Sequence, residues 1–376
     1  MENKTFTRVT LRCFGCGAVI QNTNPALTGF LPRQITSETP LCQRCYRLQH
    51  YGEDVPNPNF SAEYKKVMEE AKKTNSLIVY VVDLFAFESS LVFPVFEYLR
   101  SCPLVVIANK RDVLPKSVDD KKFIKFVNDR LNEYDIHPLD TIISSAYKNI
   151  NIDEIISDIN KYRKGKNVYF VGSASVGKSS LINSFLRVYK NETKTFISTS
   201  PYPGTTLDVI KVPLENKSYF YDTPGVLVED SIFAHIDRNA MKYVFPRREI
   251  NPRTFQVNSD QSIFIGGLAR FNFVEGDKAN FTFFLSNECD LHRTKLENSE
   301  KAFASLIESK SIKPVSSTIK GEDDLVAHEF ELTNEPVDIA ISGLAWVKCN
   351  APAGGKVVVY APKGVLVGLR GCKIWF

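Results

Sequence analysis

The sequence predicts an α/β chain in three parts: a cysteine-bearing metal-binding segment over residues 1–58, an α/β unit over 59–230, and a β-rich α+β region over 231–376. Three observations predict it. Two CxxC pairs stand near the start, apolar runs then alternate with amphipathic stretches, and short β-type runs dominate the last third. A length of 376 residues suits two or three domains of ~100–200 residues each. With 43% hydrophobic and 24% charged residues the composition is that of a globular protein able to bury a core. The longest apolar runs, Leu77–Val82 and Leu104–Ala108, fall well short of the ~18 residues that cross a bilayer, so neither a membrane span nor a membrane partner is expected. The net charge of +4 is a weak steer toward acidic partners. The start MENKTFTRVTLRC carries no apolar or Arg-rich leader and reads as cytoplasmic. A processed organelle form would look the same.

Cys13 and Cys16 form the first pair, Cys42 and Cys45 the second, across a stretch of little periodicity. Four thiolates in this arrangement can hold one tetrahedral zinc, which stabilises a segment too small to fold on its own core. Around them lie Arg8, Arg12, Phe14, Arg33, Arg44, Tyr46, Arg47, His50 and Tyr51, a mix that suits either stacking on bases or a solvated basic surface. Cys102, Cys289, Cys349 and Cys372 show no such spacing and read as buried thiols.

After Pro56 and Pro58 a helix is predicted from about Ser61 to Lys73. Strands follow at Leu77–Asp83, Pro103–Lys110, Thr141–Ala146 and Val168–Gly172, with helices between them over about Ser117–Tyr134 and Ile152–Tyr162. This alternation implies a mainly parallel sheet with helices on both faces.

GSASVGKS, Gly172 to Ser179, stands between a strand and the helix LINSFL. In that context the backbone of Ser173, Ala174, Ser175, Val176 and Gly177, with Ser180 in the first helical turn, cradles phosphates. Lys178 reaches the β- and γ-phosphates and Ser179 binds Mg²⁺. DTPG supplies Asp222 as the second Mg²⁺ contact and the Gly225 amide toward the γ-phosphate. Between them, SPYPGTTLDVIKV offers Thr205 and Thr206, of which Thr206 is expected to reach both Mg²⁺ and the γ-phosphate. Lys178, Thr206 and Gly225 are therefore the expected catalytic residues.

NKRD makes the expected nucleotide GTP or GDP. The Asp112 carboxylate accepts from N1–H and the exocyclic amine of guanine, a pattern adenine lacks; Asn109 holds the loop and the Lys110 stem covers the ring. The SSA that follows on the next strand, Ser144, Ser145 and Ala146, completes the pocket. NKRD precedes GSASVGKS, the reverse of the usual order.

The order NKRD, SSA, GSASVGKS, PGTT and DTPG, preceded by CFGC and CQRC, resembles the YqeH family of circularly permuted GTPases. The resemblance covers the zinc segment and the whole α/β unit. It implies a P-loop GTPase acting in assembly of the small ribosomal subunit, meeting rRNA and ribosomal proteins, with a C-terminal domain that binds RNA. A GTP-regulated protein scaffold without RNA contact is the alternative reading. Val226 follows DTPG where many GTPases place a water-orienting glutamine, so slow intrinsic hydrolysis is expected. Ser175 stands where potassium-using relatives often carry Asn; its hydroxyl reaches less far, which argues against K⁺ stimulation.

The last part opens with a helix, HIDRNAMKYV. An internal echo follows: IFIGGLARFNF (Ile263–Phe273) and IAISGLAWVKC (Ile339–Cys349) share IxIxGLA, and each precedes another apolar strand. Two related β units flanking a helix near Ser299–Ser309 are expected, each echo read as a Gly-containing strand. Local basic candidates for RNA are Arg247, Arg248, Arg253, His292, Arg293 and Lys295.

Overall fold

The run LIVYVVD forms β1, Leu77–Asp83, buried at every position in the computed structural model, which describes residues 20–24, 29–32, 42–43, 62–189, 210–214 and 218–374. Uninterrupted apolar runs of this kind suit a parallel strand covered on both faces. With β2 (Leu104–Asn109), β3 (Asp140–Ile143), β4 (Val168–Val171), β5 (Ile210–Pro213) and β6 (Tyr219–Asp222) it builds a sheet in the order β3-β2-β1-β4-β6-β5. Only the β5–β6 pair is antiparallel. The chain winds outward from β1 through β2 and β3, then returns to the other side of β1 with β4. Such a reversal leaves a crevice at the carboxyl ends of the strands, where ligands bind. The register sets Asp83 beside Asn109 and Phe170 beside Asp222, bringing three motif-bearing strand ends to that edge.

Helices cover the sheet where amphipathic spacing predicts them. The helix Asp120–Asn132 is shorter than its apolar pattern because Asp119 caps it, accepting from the Lys121 amide at 2.9 Å. It buries Phe123, Phe126, Val127 and Leu131. Alternate residues of β1 serve opposite faces. Leu77, Val79 and Val81 pack with Ile155 and Ile159 of the helix Ile152–Arg163 and with Leu181, Ile182 and Phe185 of the helix Lys178–Tyr189. Ile78, Tyr80 and Val82 join a core that continues through Phe87 and Ile232 into the β-rich region at Phe284 and Trp346.

The predicted helix HIDRNAMKYV begins later than its sequence suggests. A 3-10 turn spans Ile232–Ala234, and the helix proper is Arg238–Val244, because the Asp237 carboxylate caps the amides of Asn239 and Ala240. Beyond it, each IxIxGLA echo is a hairpin and not one strand. The chain reverses at Gly266 and at Gly343, both with positive φ, a conformation that glycine adopts without a Cβ penalty.

The first unit comprises β7 (Arg253–Val257), β8 (Gln261–Ile265), β9 (Ala269–Glu275), β10 (Ala279–Leu285) and β11 (Leu291–Lys295). The second comprises β12 (Leu325–Leu332), β13 (Val337–Ile341), β14 (Ala345–Asn350), β15 (Gly355–Pro362) and β16 (Val367–Gly371), after the helix Ser299–Glu308. In the second unit β13 to β16 each start 76 residues after their counterparts β8 to β11. The two sheets run β16-β13-β14-β10-β7 and β11-β8-β9-β15-β12. Exchanging each strand for its counterpart turns one order into the other. The two units have therefore traded strands about a pseudo-twofold, since β10 pairs with β14 and β15 with β9.

Cys102, Cys289, Cys349 and Cys372 are buried, as expected. A buried polar seam joins the two regions. Lys373 Nζ donates to the carbonyls of Leu84 (2.8 Å) and Phe85 (3.3 Å), Arg370 is paired with Glu88, and Ser89 Oγ lies 2.8 Å from Ser231 Oγ.

Candidate nucleotide site

The loop after β4 carries the phosphate motif. Lys178 is buried, and its Nζ donates to the carbonyls of Gly172 (3.0 Å) and Ser173 (2.8 Å). Burial lowers its pKa to about 8, with the nearby Asp222 acting in the opposite sense. Ser175 sits at φ +64°, and its Oγ is buried without a hydrogen-bond partner among the described residues. Val176 is buried and Ser180 borders the cavity described below.

At the end of β6 the Asp222 carboxyl accepts from Ser179 Oγ at 2.7 Å, while its Oδ1 is buried with no partner among the described residues. Burial raises its pKa to about 6, against the pull of Lys178 and Ser179. A hydroxyl and a carboxylate with one orphaned oxygen are hard oxygen donors that fit a magnesium ion. The next residues run alongside the phosphate loop: Thr223 Oγ1 donates to Phe170 O at 2.6 Å, and Ala174 N donates to Val226 O at 2.8 Å. A Cβ on Gly225 would stand 2.7 Å from Ala174 Cα and 3.2 Å from Lys178 Nζ. Gly225→Ala is accordingly expected to displace the phosphate loop or the lysine and to lower single-turnover GTP hydrolysis by roughly 10². Hydrolysis within threefold of the unsubstituted chain would contradict that reading.

Asn109, at the end of β2, joins the two loops. Its Oδ1 accepts from the Ala146 amide (3.0 Å) and its Nδ2 donates to Val176 O (2.7 Å). Ser145 Oγ donates to Asp112 Oδ1 at 2.6 Å and accepts from Lys148 N at 3.0 Å, which aims the carboxylate. Ser144 Oγ donates to Ile150 O and supports the loop from behind. Lys110 is held in the left-handed region, and its Nζ reaches Asp83 Oδ2 at 2.7 Å. A cavity of about 750 Å³ opens between Asn109, Asp112 and Ala146 on one side and Gly177 and Ser180 on the other. That volume suits a ligand of nucleotide size.

Asp83, the partner of Lys110, carries no motif, and the segment Lys242 to Arg247, which borders the cavity, was not foreseen as part of this site, Arg247 having been read as a candidate for RNA. Thr205, Thr206, Cys13, Cys16, Cys45 and the basic and aromatic residues around the cysteine pairs lie outside the described residues. Cys42 is described and buried. Among the described residues no group of three or more His, Cys, Asp or Glu is placed to hold a metal.

Comparison with known proteins agrees with this geometry. Residues 167–262 match the family described as 50S ribosome-binding GTPase, and residues 278–372 match the one described as YqeH-like, C-terminal. The chain is 36% identical over 359 residues to the uncharacterized protein YqeH of Bacillus subtilis, covering 95% of this chain and 98% of that one. It is 25% identical to NO-associated protein 1, chloroplastic/mitochondrial, of Arabidopsis thaliana, over 89% of this chain and 69% of the relative. GTPase Der of Aquifex aeolicus is 30% identical over 44% of this chain and 37% of its own length.

Proposed function

This chain belongs to the YqeH family of GTPases, and from that premise we propose that it is a circularly permuted GTP-dependent switch in assembly of the small ribosomal subunit. GTP binding and hydrolysis come with the GTPase domain; the permutation and the ribosomal role are our reading. The observation that carries the permuted-GTPase part of this reading is Asn109, whose side chain ties the base-reading loop to the phosphate loop although their chain order is reversed; the small-subunit role follows from the family resemblance alone. Entry into the sheet at its middle strand β1 and the short joint from Arg163 to Val168 support the permutation. So does a GTPase-family match that begins only at residue 167, with the base-reading strand ahead of it.

In this reading Asp112 selects guanine, Lys178 and the Gly225 amide meet the γ-phosphate, and Thr206 closes over it. Magnesium, held by Ser179, Asp222 and Thr206, would supply counter-charge to the phosphates. Cys13, Cys16, Cys42 and Cys45 would hold a structural zinc. Val226 offers no polar side chain to orient water, so intrinsic hydrolysis is slow. The segment that starts at DTPG, switch II, leads straight into the β-rich region: Ile232 N donates to Ser342 O at 2.9 Å and Leu366 N to Asp230 O at 2.8 Å. A change at the γ-phosphate is thereby felt by that region.

Contacts with rRNA fall to the flanking parts, including His292 and Arg293 on the edge strand β11. Arg248 and Arg253 are weaker candidates, being engaged with Glu288 and Cys289 O. No described helix is long and apolar enough to cross a membrane. We take the protein to be cytoplasmic, and the name of the Arabidopsis relative, chloroplastic/mitochondrial, makes an organelle form compatible as well. Cosedimentation with separated small and large subunits, with GTP analogue or GDP and with or without ribonuclease, tests the proposal. We expect analogue-dependent pelleting with the small subunit that ribonuclease abolishes. Pelleting with the large subunit alone, or with neither, would sink the assignment; ribonuclease-resistant binding would favour a protein scaffold.

A further inference from the structure

The motifs account for the phosphate loop and for the hydrogen-bonding edge of the base, but they name nothing beyond the Lys110 stem to cover its faces. Among the residues outside those motifs that border the same cavity, Tyr147 and Arg187 included, are Lys242, Phe245 and Arg247. All three belong to the segment between switch II and the β-rich sheets. Phe245 is held in place: its ring stacks on Phe233 with centroids 4.3 Å apart and 16° between planes, and its amide donates to Met241 O at 3.1 Å. Lys110 Nζ lies 5.6 Å from the Phe245 centroid, so the base-reading lysine and this aromatic ring share one wall.

The segment is fastened at both ends. Beyond the cavity, Ile250 N donates to Val113 O at 2.9 Å and Lys116 N to Glu249 Oε1 at 2.8 Å, tying it to the loop that carries Asp112. Before the cavity, Asp237 accepts from Ser317 N at 2.6 Å and Ser316 Oγ at 3.1 Å, tying it to the β-rich region. Phe245 is 9% exposed with one face on Phe233, so it can offer the cavity only the rest of its ring, and the flanking cations favour a polyanionic ligand.

We infer that Phe245, Lys242 and Arg247 complete the guanosine pocket, so that a bound guanine nucleotide is gripped jointly by the α/β unit and by the segment rooted in the β-rich region. This rests on the GTPase reading above. Lys178 and Gly225, the residues assigned to the γ-phosphate, do not line this cavity, so the wall would meet base and ribose and contribute about equally to GDP and GTP. Discrimination against adenine stays with Asp112.

Calorimetric titration of the full chain with GDP, a non-hydrolysable GTP analogue and ADP tests this. Phe245→Leu is expected to weaken GDP and the analogue alike, by roughly tenfold, in line with the loss of one base–aromatic contact. Phe245→Tyr, which keeps the ring, should bind nearly as the unsubstituted chain. The double variant Lys242→Ala/Arg247→Ala, changed only at exposed positions, should bind both nucleotides roughly fivefold more weakly, with a shallower salt dependence. If Phe245→Leu fails to fold, the double variant decides. GDP affinity within twofold of the unsubstituted chain in the folded variants overturns the inference, as does a loss confined to the GTP analogue. Failure of the unsubstituted chain to bind GDP would instead remove the GTPase reading itself.

Discussion

Asp112→Asn is expected to lower affinity for GDP by roughly 10⁴, the range reached when a site built to pair with polar groups meets a ligand that cannot answer it. The carboxylate is aimed by Ser145 Oγ at 2.6 Å, and that bond survives because the asparagine carbonyl still accepts. What changes is one oxygen replaced by an NH₂ group. Guanine presents two donors, N1–H and its amine, and the amide can accept from only one of them. The amide nitrogen then faces the amine with like polarity. Xanthine carries a carbonyl where guanine carries the amine, so the variant should gain affinity for XDP as it loses GDP. Competition titrations with the two diphosphates read both effects, and GDP binding within threefold of the unsubstituted chain would refute the role of Asp112.

Glu88→Ala is expected to destabilise the protein by about 3–5 kcal/mol, the cost of leaving a buried charge without its partner. Glu88 lies in the loop after β1, and its carboxylate meets Arg370 on β16, whose side chain is 2% exposed. Burial pushes the Glu88 pKa up, but the charges of Arg370 and Lys373 outweigh it and hold the carboxyl below its ordinary value of 4.5. A depressed carboxyl contributes stability above that value and loses it as the pH falls through its folded pKa. The difference between the unsubstituted chain and Glu88→Gln should therefore shrink in acid. Arg370 would retain Asp338, at 3.5 Å, and its packing on the rings of Phe126 and Trp346. Thermal melts at neutral pH should drop by several degrees for Glu88→Ala and less for Glu88→Gln. An unchanged melting temperature would mean that the seam between the loop after β1 and β16 contributes nothing.

Much of the site was legible because its residues sit in contiguous motifs at strand ends. The run before Asn109 has to be a strand, since an apolar stretch so short and β-branched is buried on both sides only in a parallel sheet. Gly225 and Lys178 could be assigned from spacing, though not the approach between them. The hairpin nature of IFIGGLARFNF was missed because a glycine inside an apolar run is compatible with a bulge, a bend or a reversal. Phe245 was missed for another reason: an aromatic four residues after Met241, one helical turn on, reads as an ordinary core position.

The sequence by itself determined the motifs: which residues are expected to read guanine, which to cradle phosphate, and that these motifs stand in reversed order along the chain. It also determined that the last third contains a repeat. Those properties depend on local backbone preference and on residue type at close spacing. Tertiary structure alone decided that the two repeats trade strands, that Glu88 and Arg370 seal a seam, and that Phe245 stands beside Lys110. Each is a pairing between segments far apart in the chain, chosen by how whole apolar faces and buried charges are satisfied together, and no local pattern encodes that choice.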